Sequence, residues 1–287
     1  MKEIEERENM LNQFRLELME EEKSKATVEK YIRDVRYFYS YMWEKRGTIN
    51  PEMITKELLI EYKQYLRENY ALSSANSMIA AINCYLEQIG RSDCKIRAYK
   101  IQRQMCRTRE RSLSKEEYLR LLGSAKKRGQ IWLYLIMMTI CATGIRVSEL
   151  PYITVESLCT RRARVELKGK SRIVILPKEL CMELRRYVKK RNIRTGSIFV
   201  TKNGKSIDRN NILHAMKKLC QDAKVEASKV FPHNLRHLFA VTFYRIERDI
   251  SHLADILGHS NINTTRIYTL ITPEEQERQM ESMGLII

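Results

Sequence analysis

The run Pro232-His233-Asn234-Leu235-Arg236-His237, followed by Leu257-Gly258-His259-Ser260-Asn261-Ile262-Asn263-Thr264-Thr265-Arg266-Ile267-Tyr268, is the most patterned part of this 287-residue chain. A histidine three positions before an arginine at a helix start places both side chains on one face, so His233 and Arg236 can converge on a single anion. His259 and Tyr268 lie nine positions apart (268 − 259) across a turn and the start of a further helix. Four of the five histidines, His233, His237, His252 and His259, fall in this stretch. Alone, the HxxR tetrad is better explained as a satisfied surface or core pair, and the rest of the chain has to decide.

Upstream, the apolar period changes in an informative way. The segment Ile131 to Ala142 is continuously apolar and bounded by Gln130 and Gly144; it is too short to span a bilayer and reads as a buried helix ending near Gly144. After it, Val165 and Leu167 alternate with Glu166 and Lys168, and beyond Gly169-Lys170-Ser171 the segment Arg172-Ile173-Val174-Ile175-Leu176 reads as a second strand closed by Pro177, making a hairpin. A short strand is expected at Ile198-Phe199-Val200, then an Asn203-Gly204 turn and helices over 210–223, 235–248 and 252–257. Ser114 with Glu116 and Glu117 opens this region as a capped amphipathic helix.

Towards the amino terminus the pattern is helical throughout. From Leu11 to about Gly90 apolar residues recur at three- and four-residue intervals, with Tyr31, Val35, Phe38, Tyr39 and Met42 on one face. Thr55 is the expected cap of a helix over 56–70, and Ser73 or Ser74 that of one over 75–89. Between Lys95 and Arg111 the periodicity is lost, and Lys95, Arg97, Lys100, Arg103, Arg107, Arg109 and Arg111 face only Glu110. The expected division is a helical domain over 1–94, a basic linker over 95–112 and a second domain over 113–287. The fold class expected is mainly α with one small β-sheet.

Composition narrows the partners. The chain carries 52 Lys plus Arg against 35 Asp plus Glu, a formal charge of +17, which a polyanion explains more economically than solubility does. The start, Met1-Lys2-Glu3-Ile4-Glu5-Glu6-Arg7, has mixed charge and no apolar core of a secretory signal, so a cytoplasmic, nucleoid-associated protein with no membrane partner is expected. The seven cysteines (Cys84, Cys94, Cys106, Cys141, Cys159, Cys181, Cys220) are scattered without a CxxC pair and read as reduced thiols. No clustered acidic metal site and no GxxxxGK[ST] loop is visible, so neither metal nor nucleotide cofactor is expected.

The series Ala142-Thr143-Gly144-Ile145-Arg146-Val147-Ser148-Glu149-Leu150, the hairpin Lys168, the HxxRH box at His233 to His237, and the LGHS…TTxxYT segment ending in Tyr268-Thr269 resemble, in order and spacing, the Xer and integrase-type tyrosine recombinases. Thr27-Val28-Glu29-Lys30-Tyr31-Ile32-Arg33-Asp34 is similar to their core-binding domain. The resemblance implies a helical, SAM-like core-binding domain followed by a mixed α/β catalytic domain, and a site-specific recombinase that works through a 3′-phosphotyrosine. It implies Tyr268 as nucleophile and Arg146 and Arg236 as the phosphate clamp. Lys168 is implied as general acid, with Lys170 as the alternative two residues on. His233 would assist deprotonation of the tyrosine or bond the phosphate, His259 would donate to a non-bridging oxygen or position the nucleophile, and Glu149 would orient the site. His237 is read as structural, and His214 and His252 are left out.

The implied partners are double-stranded DNA with inverted half-sites, three further copies in a homotetramer on synapsed DNA, and an accessory DNA-bending or directionality factor. The polar helix over 273–283, followed by Leu285-Ile286-Ile287, would pass to a neighbouring subunit. Phe239-Ala240-Val241-Thr242-Phe243-Tyr244-Arg245 is more aromatic than a housekeeping Xer protein usually shows, which points to mobile-element integration and excision or to DNA inversion ahead of dimer resolution. A nicking-closing topoisomerase and an inactive DNA-binding regulator of the same fold are the competing readings.

Overall fold

The computed structural model describes residues 2–101, 112–167, 170–201, 203–269 and 273–284. Lys168, Cys106, most of the basic linker and Leu285-Ile286-Ile287 lie outside the described residues. The chain divides into two units, Met1–Arg103 and Gln104–Ile287.

The first unit is built from α1 (Lys2–Glu20), α2 (Lys25–Arg46), α3 (Lys56–Asn69) and α4 (Leu72–Gln88). Ser24 caps α2 by accepting from the Thr27 amide, and Gly47 ends it in the left-handed region at φ 64°. Thr55 caps α3 as expected. Helix α4 departs from expectation: its cap position is Ala71, with no side-chain hydrogen bond, and Ser73 and Ser74 lie inside its first turn. The connection from α3 is only Tyr70 and Ala71, so the chain is already helical where a serine could have capped it. The apolar faces meet in a core of Leu11, Phe14, Val35, Phe38, Leu59, Ile82 and their neighbours.

This unit keeps the chain beyond α4. Asn83 donates from Nδ2 to the Ile96 carbonyl (2.7 Å) and accepts from the Ile96 amide (3.0 Å). Asn76 treats Tyr99 in the same way, at 2.9 and 2.7 Å. Seven residues along a helix rise about 10.5 Å and three extended residues about 10 Å, so the two amides match the repeat of an extended segment running antiparallel to α4. The first residues of the basic stretch are therefore strapped to the helical unit, and Ile96 is buried.

The second unit begins with α5 (Lys115–Lys127), closed by a capping box in which Ser114 and Glu117 bond each other's backbone amides. Next comes α6 (Ile131–Thr143), followed by α7 (Val155–Thr160), the hairpin β1 (Arg162–Leu167) and β2 (Lys170–Ile175), then α8 (Lys178–Arg191). The strands pair antiparallel, with Val165 opposite Arg172 and Ala163 opposite Val174. Ala163, Val165 and Val174 face the core, whereas Ile173 and Ile175 are exposed. The remaining helices are α9 (Arg209–Lys217), α10 (Cys220–Ala223), α11 (Pro232–Glu247), α12 (Ile250–Leu257) and α13 (Pro273–Glu281).

Two expectations are corrected here. Residues 198–200 form no strand: isolated bridges lie at either side, Thr154 to Ser197 just before the run and Val200 to Ser206 at its end. Ile198 and Phe199 are both buried, which a strand with one buried face cannot provide for consecutive residues. The helix expected over 210–223 is broken into α9 and α10 at Lys218-Leu219. No helix among the described residues is long and apolar enough to cross a membrane.

Candidate active site

The site is assembled around the carboxyl ends of two helices. The last carbonyls of a helix lack internal partners and carry partial negative charge, which favours cations there. At the end of α12, the Ile256 carbonyl accepts from Arg172 Nη1 (2.8 Å). The next carbonyl, of Leu257, accepts from both Arg236 Nη2 (2.8 Å) and Arg146 Nη1 (3.4 Å). At the end of α6, the Gly144 carbonyl accepts from Arg236 Nη1. Backbone carbonyls at two helix ends thus bond three arginines from three elements.

Two glycines make the approach possible. Gly144 and Gly258 end α6 and α12 in the left-handed region, at φ 67° and 63°. A Cβ on Gly258 would lie 2.6 Å from the Arg172 side chain, and one on Gly144 would lie 2.4 Å from the Phe239 ring. The aromatic run of α11 is explained by the same packing: Phe239 fills the space against Gly144, and Phe243 stacks near it and meets His252 edge-on.

Among the described residues Glu149 is the one carboxylate in this cluster. It sits in the turn after α6, is 2% exposed, and accepts from the Arg146 amide (2.7 Å), from Arg146 Nη1 (3.0 Å) and from Arg172 Nη2 (2.6 Å). Arg146 remains open to solvent with 40% of its side chain exposed, while Arg236 is 1% exposed. Among the described residues Arg236 has no carboxylate partner, and its Nε lacks any acceptor. Burial first, then the charge of Arg146, pushes the Arg236 pKa down to about 10. It stays protonated at neutral pH as a buried cation without a counter-charge.

Arg236 Nη2 also lies 2.9 Å from His259 Nε2, and His259 Nδ1 lies 2.9 Å from Thr265 Oγ1. A guanidinium can only donate, so Nε2 must accept and the imidazole proton sits on Nδ1, donated to Thr265. Burial and the charges of Arg236, Arg146 and Arg172 push the His259 pKa down to about 4, consistent with that neutral tautomer. His233 is likewise held below its ordinary value, by desolvation and then by Arg236, Arg146 and Arg209.

Tyr268 ends a short 3-10 turn, Arg266–Tyr268, and is buried. Its ring stacks with His259 (centroids 6.3 Å apart, 14° between planes) and meets His237 at 5.0 Å and 45°. It also packs with Ala240, Val241, Leu253 and Leu257, and its charge, when ionised, acts on Arg236. The structure therefore brings together Arg146, Glu149, His233, Arg236, His259 and Tyr268. Lys168 lies outside the described residues.

A match to the model of the Phage integrase family covers residues 111–275. The chain belongs to that family. Among curated relatives, tyrosine recombinase XerA of Thermococcus kodakarensis is 29% identical, covering 96% of each chain, and tyrosine recombinase XerD of Listeria monocytogenes is 25% identical, covering 87% of this chain and 89% of its own. A crystal structure of XerA recombinase is 26% identical with a TM-score of 0.53, covering 98% of this chain and 100% of that one. Two DNA complexes share the fold at lower identity. XerH bound to palindromic difH DNA is 19% identical (TM-score 0.70; 90% and 79% covered), and a lambda integrase tetramer on a Holliday junction is 16% identical (TM-score 0.68; 91% and 76% covered).

Arg172 was not among the residues singled out from the sequence. Its signal lay in the hairpin register, which sets it opposite inward-facing Val165 on the core side of β2. Apolar residues on both faces of β2, Ile173 and Ile175 as well as Val174, hid that side.

Proposed function

We propose that this chain is a site-specific DNA recombinase that breaks and rejoins DNA through a covalent 3′-phosphotyrosine at Tyr268. The observation that carries the proposal is Arg236: a guanidinium buried without a carboxylate, with a free Nε–H, beside a second arginine and a buried tyrosine. Such a cation calls for an anion delivered from outside, and a phosphodiester with two non-bridging oxygens suits two planar forks.

In the proposed reaction the Tyr268 hydroxyl oxygen attacks phosphorus and the bond to the 5′-oxygen breaks. The phenolic proton passes to neutral His233, whose lowered pKa keeps it unprotonated at neutral pH, and Lys168 supplies a proton to the departing 5′-oxygen. Arg146 and Arg236 neutralise the charge that builds on the phosphorane. Glu149 orients Arg146 from backbone and side chain together. His259 Nε2 accepts from Arg236, which suits positioning of that guanidinium and of the Tyr268 ring it stacks on; donation to a phosphate oxygen requires Arg236 to release it first. One ester is exchanged for another, so rejoining by a second 5′-hydroxyl reverses the same steps with no external energy source.

DNA binding draws on the net charge of +17. The proposed assembly is a homotetramer on two synapsed sites with inverted half-sites, with the cations of the basic segment over 95–112 contacting the duplex backbone. Helix α13, whose Met280 is exposed, would dock on a neighbouring subunit. Integration and excision of a mobile element or DNA inversion is the role put forward, with dimer resolution second. The test is a plasmid carrying two copies of the DNA segment that flanks the gene: recombinant circles support the proposal, relaxation without recombinants selects a topoisomerase, and binding without either selects a regulator.

A further inference from the structure

The cluster contains three guanidiniums and one carboxylate, and the division of that carboxylate decides which arginine is left for DNA. We propose that Arg172 is a positioning residue: by taking up the charge of Glu149 it leaves Arg146 free to face the scissile phosphate. The proposal rests on the recombinase reading of the site.

Arg172 is bound at two points. One end of its fork holds Glu149 Oε2 at 2.6 Å and the other holds the Ile256 carbonyl at 2.8 Å. Only 14% of its side chain is exposed, and a Cβ on Gly258 would lie 2.6 Å from it. Arg172 is therefore walled off from an incoming DNA strand, whereas Arg146 is not.

The charges make the consequence specific. Glu149 is buried, and a buried carboxylate draws any cation within reach. With Arg172 in place, Glu149 needs from Arg146 only the backbone amide and one Nη1 contact. Without Arg172, Arg146 becomes the sole counter-charge, and its attraction to Glu149 competes directly with its attraction to phosphate. The second anchor, on Ile256, fixes the same turn that delivers Leu257 to the two clamp arginines and His259 to Arg236.

The test measures single-turnover cleavage of a nicked core-site duplex bearing either an ordinary phosphodiester or a methylphosphonate at the scissile position. The methyl group removes the charge that Arg146 neutralises. Arg172→Ala is expected to slow cleavage of the ordinary link by about 10- to 100-fold, and the wild-type to variant ratio is expected to fall below about threefold on the methylphosphonate. An equal ratio on both links would mean that Arg172 serves the fold alone and would overturn the proposal.

A second variant guards against misfolding. Arg172→Ala combined with Glu149→Gln removes the charge that Arg172 answers, so at least about tenfold of the lost rate should return. No recovery in a double variant that melts like the wild type would also overturn the proposal. If wild type itself forms no covalent adduct on either link, it is the recombinase reading that fails, and the two failures are distinguishable.

Discussion

Replacing Arg236 with methionine separates the stability of the site from its chemistry. The change removes three hydrogen bonds, to the Gly144 and Leu257 carbonyls and to His259 Nε2. At roughly 1.5 kcal/mol each, the low end for a charged donor, their loss costs about 4.5 kcal/mol. It also removes a buried cation whose pKa is pushed well below the ordinary guanidinium range, to about 10. At 1.36 kcal/mol per unit, relief of that penalty returns roughly 3 kcal/mol. The difference is about 1.5 kcal/mol, and methionine fills most of the volume with flexible apolar atoms. Arg236→Met should therefore melt within about 5 °C of wild type in a thermal scan without DNA, while single-turnover cleavage of a core-site duplex falls by about 10²-fold or more. A drop of more than about 10 °C would make Arg236 a structural cation, and cleavage at the wild-type rate would remove it from the reaction.

Gly258→Ala forces a Cβ into the left-handed region and onto Arg172, so it should destabilise the chain by about 1–3 kcal/mol and slow cleavage, measured by thermal scan and covalent-adduct formation on the same preparation. The His259 pKa is depressed in the folded chain, so the unfolded chain takes up that proton first. Stability from this group is complete above pH 6.5 and is lost as pH falls towards about 4; melting curves across that window should be flatter for His259→Asn, and an unchanged slope would argue against a buried neutral imidazole. Asn83→Ala removes both bonds to Ile96, so amide exchange at Ile96 should accelerate well beyond that of core amides in α4, and unchanged protection would show that the strap is held by other contacts.

Much of the fold could be read from periodicity because its helices are amphipathic and its hairpin alternates on β1. The failures have local causes. The Ile198-Phe199-Val200 run is apolar because consecutive residues are buried in a bend, which composition alone cannot separate from a strand. The start of α4 is set by the two-residue connection from α3, not by a capping serine. The docking of Ile96 and Tyr99 depends on two asparagines that carry no apolar signal.

For the site, the spacing of His233 and Arg236 and the motifs around Arg146, His259 and Tyr268 were legible as side chains. What holds them together was not, because the acceptors at Gly144, Ile256 and Leu257 are backbone carbonyls at helix ends and any residue supplies one. His237 was read as structural; its ring lies 5.0 Å from that of Tyr268, at 45°.

The most direct measurement traps the enzyme on a core-site duplex nicked so that the cleaved strand diffuses away, then digests the adduct and locates the nucleotide by mass spectrometry. A phosphodiester on the peptide containing Tyr268, absent from Tyr268→Phe although that variant still shifts the same DNA, is the expected outcome. A nucleotide attached to any other residue, or an undiminished adduct in Tyr268→Phe, would contradict it.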